Sequence, residues 1–142
     1  MHIVLFEPEI PPNTGNIARL CAATNTPLHL IEPLGFSLSD RYLRRAGCDY
    51  WPHVPLTVWP NLEAYTEADG KGRRLVAASA KQGVPLHRLN FTRMDSLVFG
   101  KETKGLPDWV LELCPCRVRV PHSGVVRSLN LSNAVAVTVF EA

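Results

Sequence analysis

No apolar run in this 142-residue chain approaches the roughly 20 residues that a membrane span requires. The opening "MHIVLFEPEI" is too short in its apolar part and too acidic for a secretory signal. A cytoplasmic protein is therefore expected. Three chemical fingerprints are missing: G-x-G-x-x-G after the first apolar run, G-x-x-x-x-G-K-[ST], and G-x-S-x-G. Their absence weighs against a dinucleotide oxidoreductase, a phosphate-loop hydrolase, a Rossmann-type methyltransferase and a serine hydrolase. Metal-ligand spacing is scarce too. "CPC" at 114–116 has the look of half a metal site, but Cys21 and Cys48 are too scattered to complete it. The four cysteines read better as free thiols, and no metal is expected. His2, His29, His53, His87 and His122 show no ligand or triad spacing. No repeat, low-complexity tract or linker interrupts the chain, so residues 1–142 are expected to form one domain.

What is present is an ordinary globular composition, 46% hydrophobic and 20% charged. "HIVLF" (2–6) reads as a buried first strand, followed by a helix in "NTGNIARLCAAT" with Asn13 or Thr14 at its cap. Strands are expected at 27–32, 56–59, 74–79, 96–100 and 117–121, with helices near 61–68 and from Pro107. A short helix capped by Ser39 is expected to end at Gly47. The last stretch, "SLNLSNAVAVTVFEA" (128–142), alternates like a strand, yet its length and lack of breakers suit a helix. Strands alternating with helices indicate an α/β fold with a mostly parallel sheet and helices on both faces. Ligands in such folds bind beyond the carboxyl ends of strands, where loops 7–16, 100–105 and 121–128 fall.

Charge is unevenly distributed. Residues 71–104 carry +6 and residues 46–70 carry −4, and a basic trio, Arg41, Arg44 and Arg45, lies in "SDRYLRRAG". Such clusters bind phosphates or simply keep a face solvated. Two loops hold further chemistry. In "FGKETKGLP", Gly100 and Gly105 flank Glu102, which suits a close backbone approach to a ligand or a tight turn. In "HSGVVRSLNLSN", Ser128, Asn130, Ser132 and Asn133 place more polar groups at a segment start than capping needs.

Taken together, "EPEIPPNTGNIARLCA", "LRRAGCDYW" (43–51), "FGKETKGLP" (99–107) and "RSLNLSNAVAV" (127–137) resemble the SPOUT, or α/β-knot, methyltransferases. The likeness is strongest to the TrmL/YibK-like group, which 2′-O-methylates the wobble nucleotide, cytidine or modified uridine, in the tRNA anticodon loop. The resemblance implies S-adenosylmethionine as donor, a homodimer, a C-terminal trefoil knot, and a helix for the ambiguous last stretch. It implies catalytic roles for Arg19, Asn13, Glu102 and Asn130. It assigns the cofactor to Ala78, Gly100, Val120, Ser128 and Leu129, and RNA contacts to Arg41, Arg44, Arg45, Arg73 and Arg127. The polar turn 7–16 would then face the ribose and phosphates of RNA. The chain departs from the group at Lys101, Lys104, Ser79 and Ala80. Relatives continue past the last helix, so a shortened chain is expected after Ala142. The rival expectations are a SPOUT enzyme of ribosomal RNA and a non-catalytic RNA-binding module.

Overall fold

A computed structural model describes all residues except Asp40, Tyr42, Arg44, Ala46 and Gly47, and only the backbone of Cys48 and Asp49. The helix expected to end at Gly47 falls partly on those positions, and Arg44 lies outside the described residues. Seven strands form one parallel sheet in the order β3-β2-β1-β6-β4-β7-β5. They are β1 (His2–Phe6), β2 (Leu28–Ile31), β3 (Leu56–Trp59), β4 (Arg74–Ala78), β5 (Val84–Pro85), β6 (Asp95–Phe99) and β7 (Cys116–Arg119). The α-helices that lie wholly among the described residues are α1 (Pro11–Thr24), α2 (Leu62–Glu67), α3 (Asp108–Leu113) and α4 (Leu131–Glu141).

The alternation of β1 explains the layering, because successive side chains leave a strand on opposite faces. Ile3 and Leu5 join Leu28, Leu30, Val76, Leu97 and Phe99 beneath Ile17, Ala18 and Cys21 of α1 and Val135 and Val139 of α4. Val4 and Phe6 join Ile31, Leu75, Ala77 and Val98 against Leu62 and Tyr65 of α2 and Val110 and Leu111 of α3. Helices therefore cover both faces, and the central strands turn apolar residues to both, as a doubly covered parallel sheet requires. Burial raises the Cys21 thiol to about 12 and, as the largest cause, the Cys114 thiol to about 11, so both behave as packing groups.

Two expectations change. Asn13 and Thr14 are not caps: α1 begins at Pro11, and both residues are buried in its first turn. The two-residue β5 was not anticipated, because such a short edge strand leaves no periodic signal, and its Pro85 is tolerated only at an edge. The last stretch is a helix, with Val135, Thr138 and Val139 buried at i, i+3 and i+4 while Val137 is exposed. Among the described residues, no helix is long and apolar enough to cross a membrane.

Pairing registers put the strand ends level. Leu5 and Ala78 both pair with Phe99, and Ala78 pairs with Val118. The loops after β1, β4, β6 and β7 thus leave the sheet along one edge. β1 and β6 are neighbours whose onward connections diverge, to β2 on one side and β7 on the other. That divergence opens a crevice.

Candidate active site

The crevice begins with an accounting problem at α1. Pro11 and Pro12 have no amide hydrogen, and the Asn13 and Thr14 amides donate to the Ile10 carbonyl at 3.1 and 3.3 Å. No side chain of the helix's own N-cap contributes. The remaining donors, the Glu9 and Ile10 amides, point to a carboxylate 92 to 93 positions away: Glu102 Oε2 accepts from Glu9 at 2.9 Å and Oε1 from Ile10 at 3.2 Å. The Asn13 side-chain amide also donates to Oε1 at 3.3 Å. Glu102 is thus the cap that α1 lacks locally, and its negative charge complements the positive end of the helix dipole.

The contact is reciprocal. Thr103 donates from its backbone amide at 3.1 Å and from its hydroxyl at 2.8 Å to Glu9 Oε2. These bonds, the hydroxyl's first, hold the Glu9 carboxyl below its ordinary range. Lys101 pairs with Glu7, whose carboxylate raises the Lys101 ammonium. The loop between the glycines closes on itself through the Gly105 amide, which donates to the Lys101 carbonyl at 2.8 Å. Gly105 has φ +71°, and a Cβ on Gly100 would lie 2.1 Å from the Gly105 carbonyl carbon. Gly100 is therefore demanded first by the loop's own backbone, not by a ligand's approach.

The third loop joins the same network. Asn130 Nδ2 donates to Asn13 Oδ1 at 2.9 Å, while Asn130 Oδ1 accepts from the Ser132 amide at 2.9 Å and hydroxyl at 2.7 Å. A continuous chain, Glu102–Asn13–Asn130–Ser132, ties the loops after β6, β1 and β7 together. Beside it lies a cleft of about 780 Å³, within the usual size of small-molecule sites. Ala78, Gly100, Val120, Ser128 and Leu129 all line it, as do Asn13, Glu102, Asn130 and Arg127. Phe99, Leu106, Ala134 and Thr138 line it as well; sequence reasoning missed them. Once 131–141 is a helix, the spacing of Leu131, Ala134 and Thr138 would have marked its inward face.

Other expected residues lie elsewhere. Arg19 is exposed and does not line the cleft; its guanidinium sits 5.1 Å above the Tyr50 ring. Arg41 and Arg45 are exposed and outside the cleft. Arg73 precedes β4, at the amino edge of the sheet, and donates to the Arg93 carbonyl at 2.7 Å. The sheet thus separates it from the crevice.

That amino edge has its own polar cluster. The Trp59 indole donates to His29 Nδ1 at 3.0 Å, so His29 Nε2 carries the hydrogen and donates to His2 Nδ1 at 3.1 Å. Tyr65 Oη lies 3.2 Å from His2 Nδ1 and 2.7 Å from Ser96 Oγ. Burial, the largest cause, lowers both imidazoles to about 4, with Arg73 adding to it. Among the described residues no group of three or more His, Cys, Asp or Glu could hold a metal ion.

Comparison with known proteins fits this geometry. The SpoU rRNA Methylase family matches residues 1–140. The chain belongs to this SpoU methylase family. It is 47% identical over 100% of its length to the tRNA (cytidine(34)-2′-O)-methyltransferase of Aeromonas hydrophila, covering 92% of that protein. It is 48% identical over 100% of its length to the enzyme of the same name from Escherichia coli K12, covering 91%. A solved structure concerned with 2-OH methylation of C/U34 on tRNA superposes with a TM-score of 0.94 at 48% identity, covering 99% of this chain and 91% of that one. The SpoU methyltransferase AviRb of Streptomyces viridochromogenes, solved with AdoMet, gives a TM-score of 0.86 at 25% identity over 99% of this chain and 58% of its own. Within the SpoU family frame, the resemblance read from the four motifs holds over the whole matched length.

Proposed function

We propose that this chain is the S-adenosylmethionine-dependent methyltransferase of the wobble nucleotide of tRNA, acting on the 2′-oxygen of cytidine 34 or a modified uridine there. The observation that carries the reading is the Glu102–Asn13–Asn130 chain, which ties three separate loops beside one cleft. The near full-length likeness to enzymes named for cytidine 34 selects the substrate. The cleft fits the donor: Ala78, Gly100 and Ser128 line it with small residues, and Val120 and Leu129 add apolar surface for a flat heterocycle. When bound there, S-adenosylmethionine supplies an electrophilic methyl group on a sulfonium.

The protein's task is then alignment and charge management. Arg19 does not take the proton, since a guanidinium stays protonated below a pH of about 12. It stabilises the developing 2′-oxyanion or clamps the adjoining phosphate. Glu102 holds the start of α1 through three N–H donors, which leaves the proton to a phosphate oxygen or water. Asn13 and Asn130 fix the loops against each other.

The same proposal includes one domain over residues 1–142, a C-terminal knot and a cytoplasmic homodimer. For the knot, α4 returns from β7 to pack near α1 and residues 86–88. For the dimer, Val137 and Phe140 of α4 are exposed. Arg19 stands six residues beyond Asn13, roughly 9 Å along the helix at about 1.5 Å per residue. That offset, with its place outside this chain's own cleft, supports a reading in which Arg19 serves the cleft of a second protomer. Mass-spectrometric nucleoside analysis of tRNA from a deletion strain should show loss of the 2′-O-methyl mark at position 34, restored by this chain. An unchanged tRNA with a changed ribosomal RNA would transfer the reading to that substrate. S-adenosylhomocysteine binding without turnover on either RNA would leave only a binding module.

A further inference from the structure

Among the described residues, the partner of the Arg19 guanidinium is the Tyr50 ring, with 5.1 Å between the guanidinium carbon and the ring centroid. That distance lies inside the roughly 6 Å over which a cation is held by an aromatic face. Tyr50 belongs to the 3-10 turn Cys48–His53, which packs against α1. The next residue, Trp51, is packed against the core, and its carbonyl accepts from the Val54 amide at 3.2 Å. The Tyr50 ring itself stays 45% exposed. An anchored turn therefore presents a free aromatic face to the middle of α1. The Tyr50 hydroxyl has no hydrogen bond within the described residues, so the face, not the hydroxyl, is what Arg19 meets.

We propose that Tyr50 is a positioning residue: its ring holds the Arg19 side chain extended and ready to meet the reacting nucleotide. The proposal rests on the reading of Arg19 given above. Arginine carries a long stem whose rotamers must be narrowed before its planar fork can meet an oxyanion or phosphate. Stacking on Tyr50 narrows them beforehand, so the cost does not fall at the transition state. The motif "LRRAGCDYW" (43–51) thereby acquires a role in transfer that its basic residues alone do not give it.

Four variants test this: Tyr50→Phe, Tyr50→Leu, Arg19→Ala, and Tyr50→Leu with Arg19→Ala. Tyr50→Leu should lower kcat about two- to fivefold, the size of one exposed cation–π contact. KM for tRNA and affinity for S-adenosylhomocysteine should stay unchanged. Tyr50→Phe should restore kcat. The Arg19 Nε–H signal should turn from rigid to mobile in Tyr50→Leu by heteronuclear relaxation. Tyr50→Leu should add nothing to the loss caused by Arg19→Ala. An equal further loss in the Arg19→Ala background overturns the proposal, as does a change confined to KM, which would mean that the ring stacks on RNA. If Arg19→Ala loses transfer while Tyr50→Leu keeps it, only the role of Tyr50 falls. If Arg19→Ala keeps transfer, the reading of Arg19 falls, and the role of Tyr50 with it.

Discussion

The two edges of the same parallel sheet carry polar networks of opposite kind. At the carboxyl edge, Glu102, Asn13, Asn130 and Ser132 link loops that are far apart in sequence, and a cleft opens beside them. Toward the amino edge, His2, His29, Tyr65 and Ser96 close on one another, with the indole of Trp59 reaching His29 from the far end of β3, and Arg74 pairs with the buried Asp95 at 2.7 Å. Burial alone would raise the Asp95 carboxyl, but hydrogen bonds from Arg74 and Thr92 outweigh it and hold the group low. The first network holds backbone that borders an open cleft. The second satisfies side chains that face only each other. Polarity in a sequence therefore does not mark a site; polarity that fixes loops around open space does.

The comparison breaks most visibly at Arg19. Arg19→Ala should lower methyl transfer on the order of 10²–10³-fold while leaving S-adenosylhomocysteine binding intact, read by radiolabel transfer and calorimetry. A pocket variant is needed as its partner. Gly100→Val is unsuitable, because a side chain there strikes the Gly105 backbone at 2.1 Å and deforms the loop. Ser128→Trp fills the cleft from an exposed loop instead. Mixed under subunit exchange, the two inactive proteins should regain activity toward half per heterodimer. A mixture that exchanges subunits yet stays inactive would place Arg19 in its own chain's site.

The amino edge should respond to acid and not to cofactor. His2 and His29 titrate near 4 in the fold against about 6.5 when unfolded. Between those values the unfolded chain binds more protons, so stability rises with pH across the window. It is fully present above about pH 6.5 and lost as pH falls toward 4. For His29, which is 1% exposed, the effect is roughly 3 kcal/mol. Urea unfolding at pH 7 and pH 5 should show the drop, and His29→Gln should flatten it. A slope unchanged in that variant would move the effect away from this cluster.

Smaller changes sharpen the contrast. Glu102→Ala should cost about 1–2 kcal/mol of stability, as loss of a helix cap does, with transfer falling because the start of α1 shifts. Glu102→Gln should retain most of both, since an amide oxygen still accepts. Abolished turnover in a stable Glu102→Gln would instead make this carboxylate the proton acceptor. Smallest is the pair Arg127 and Arg73. Arg127→Ala should lower the log–log salt slope of RNA binding by roughly 0.7–0.9. Arg73→Ala should leave that slope unchanged and cost about 1 kcal/mol of folding stability. Equal slopes for both would erase the functional difference between the edges.

Much of this was written in local patterns. The strands expected at 2–6, 56–59 and 74–79 follow from their apolar runs, while α1 starts two residues before the expected Asn13, at Pro11. The four motifs were enough to identify the family, and every residue expected to hold the cofactor lines the cleft. Other features were decided only when distant segments met. The alternating "AVAVTV" of 134–139 suits either a strand or a helix, and packing against α1 is what makes it α4. Arg73 counted as part of a basic segment until the fold placed it on the amino edge, bonded to the Arg93 carbonyl. Gly100 looked like room for a ligand until Gly105 came to lie against it. The cap of α1 shows the limit most clearly, because no residue near Ile10 supplies it and Glu102 does so from 92 positions away. Local sequence sets which backbone amides lack partners; only the folded sheet, by bringing β1 and β6 side by side, decides which carboxylate answers them.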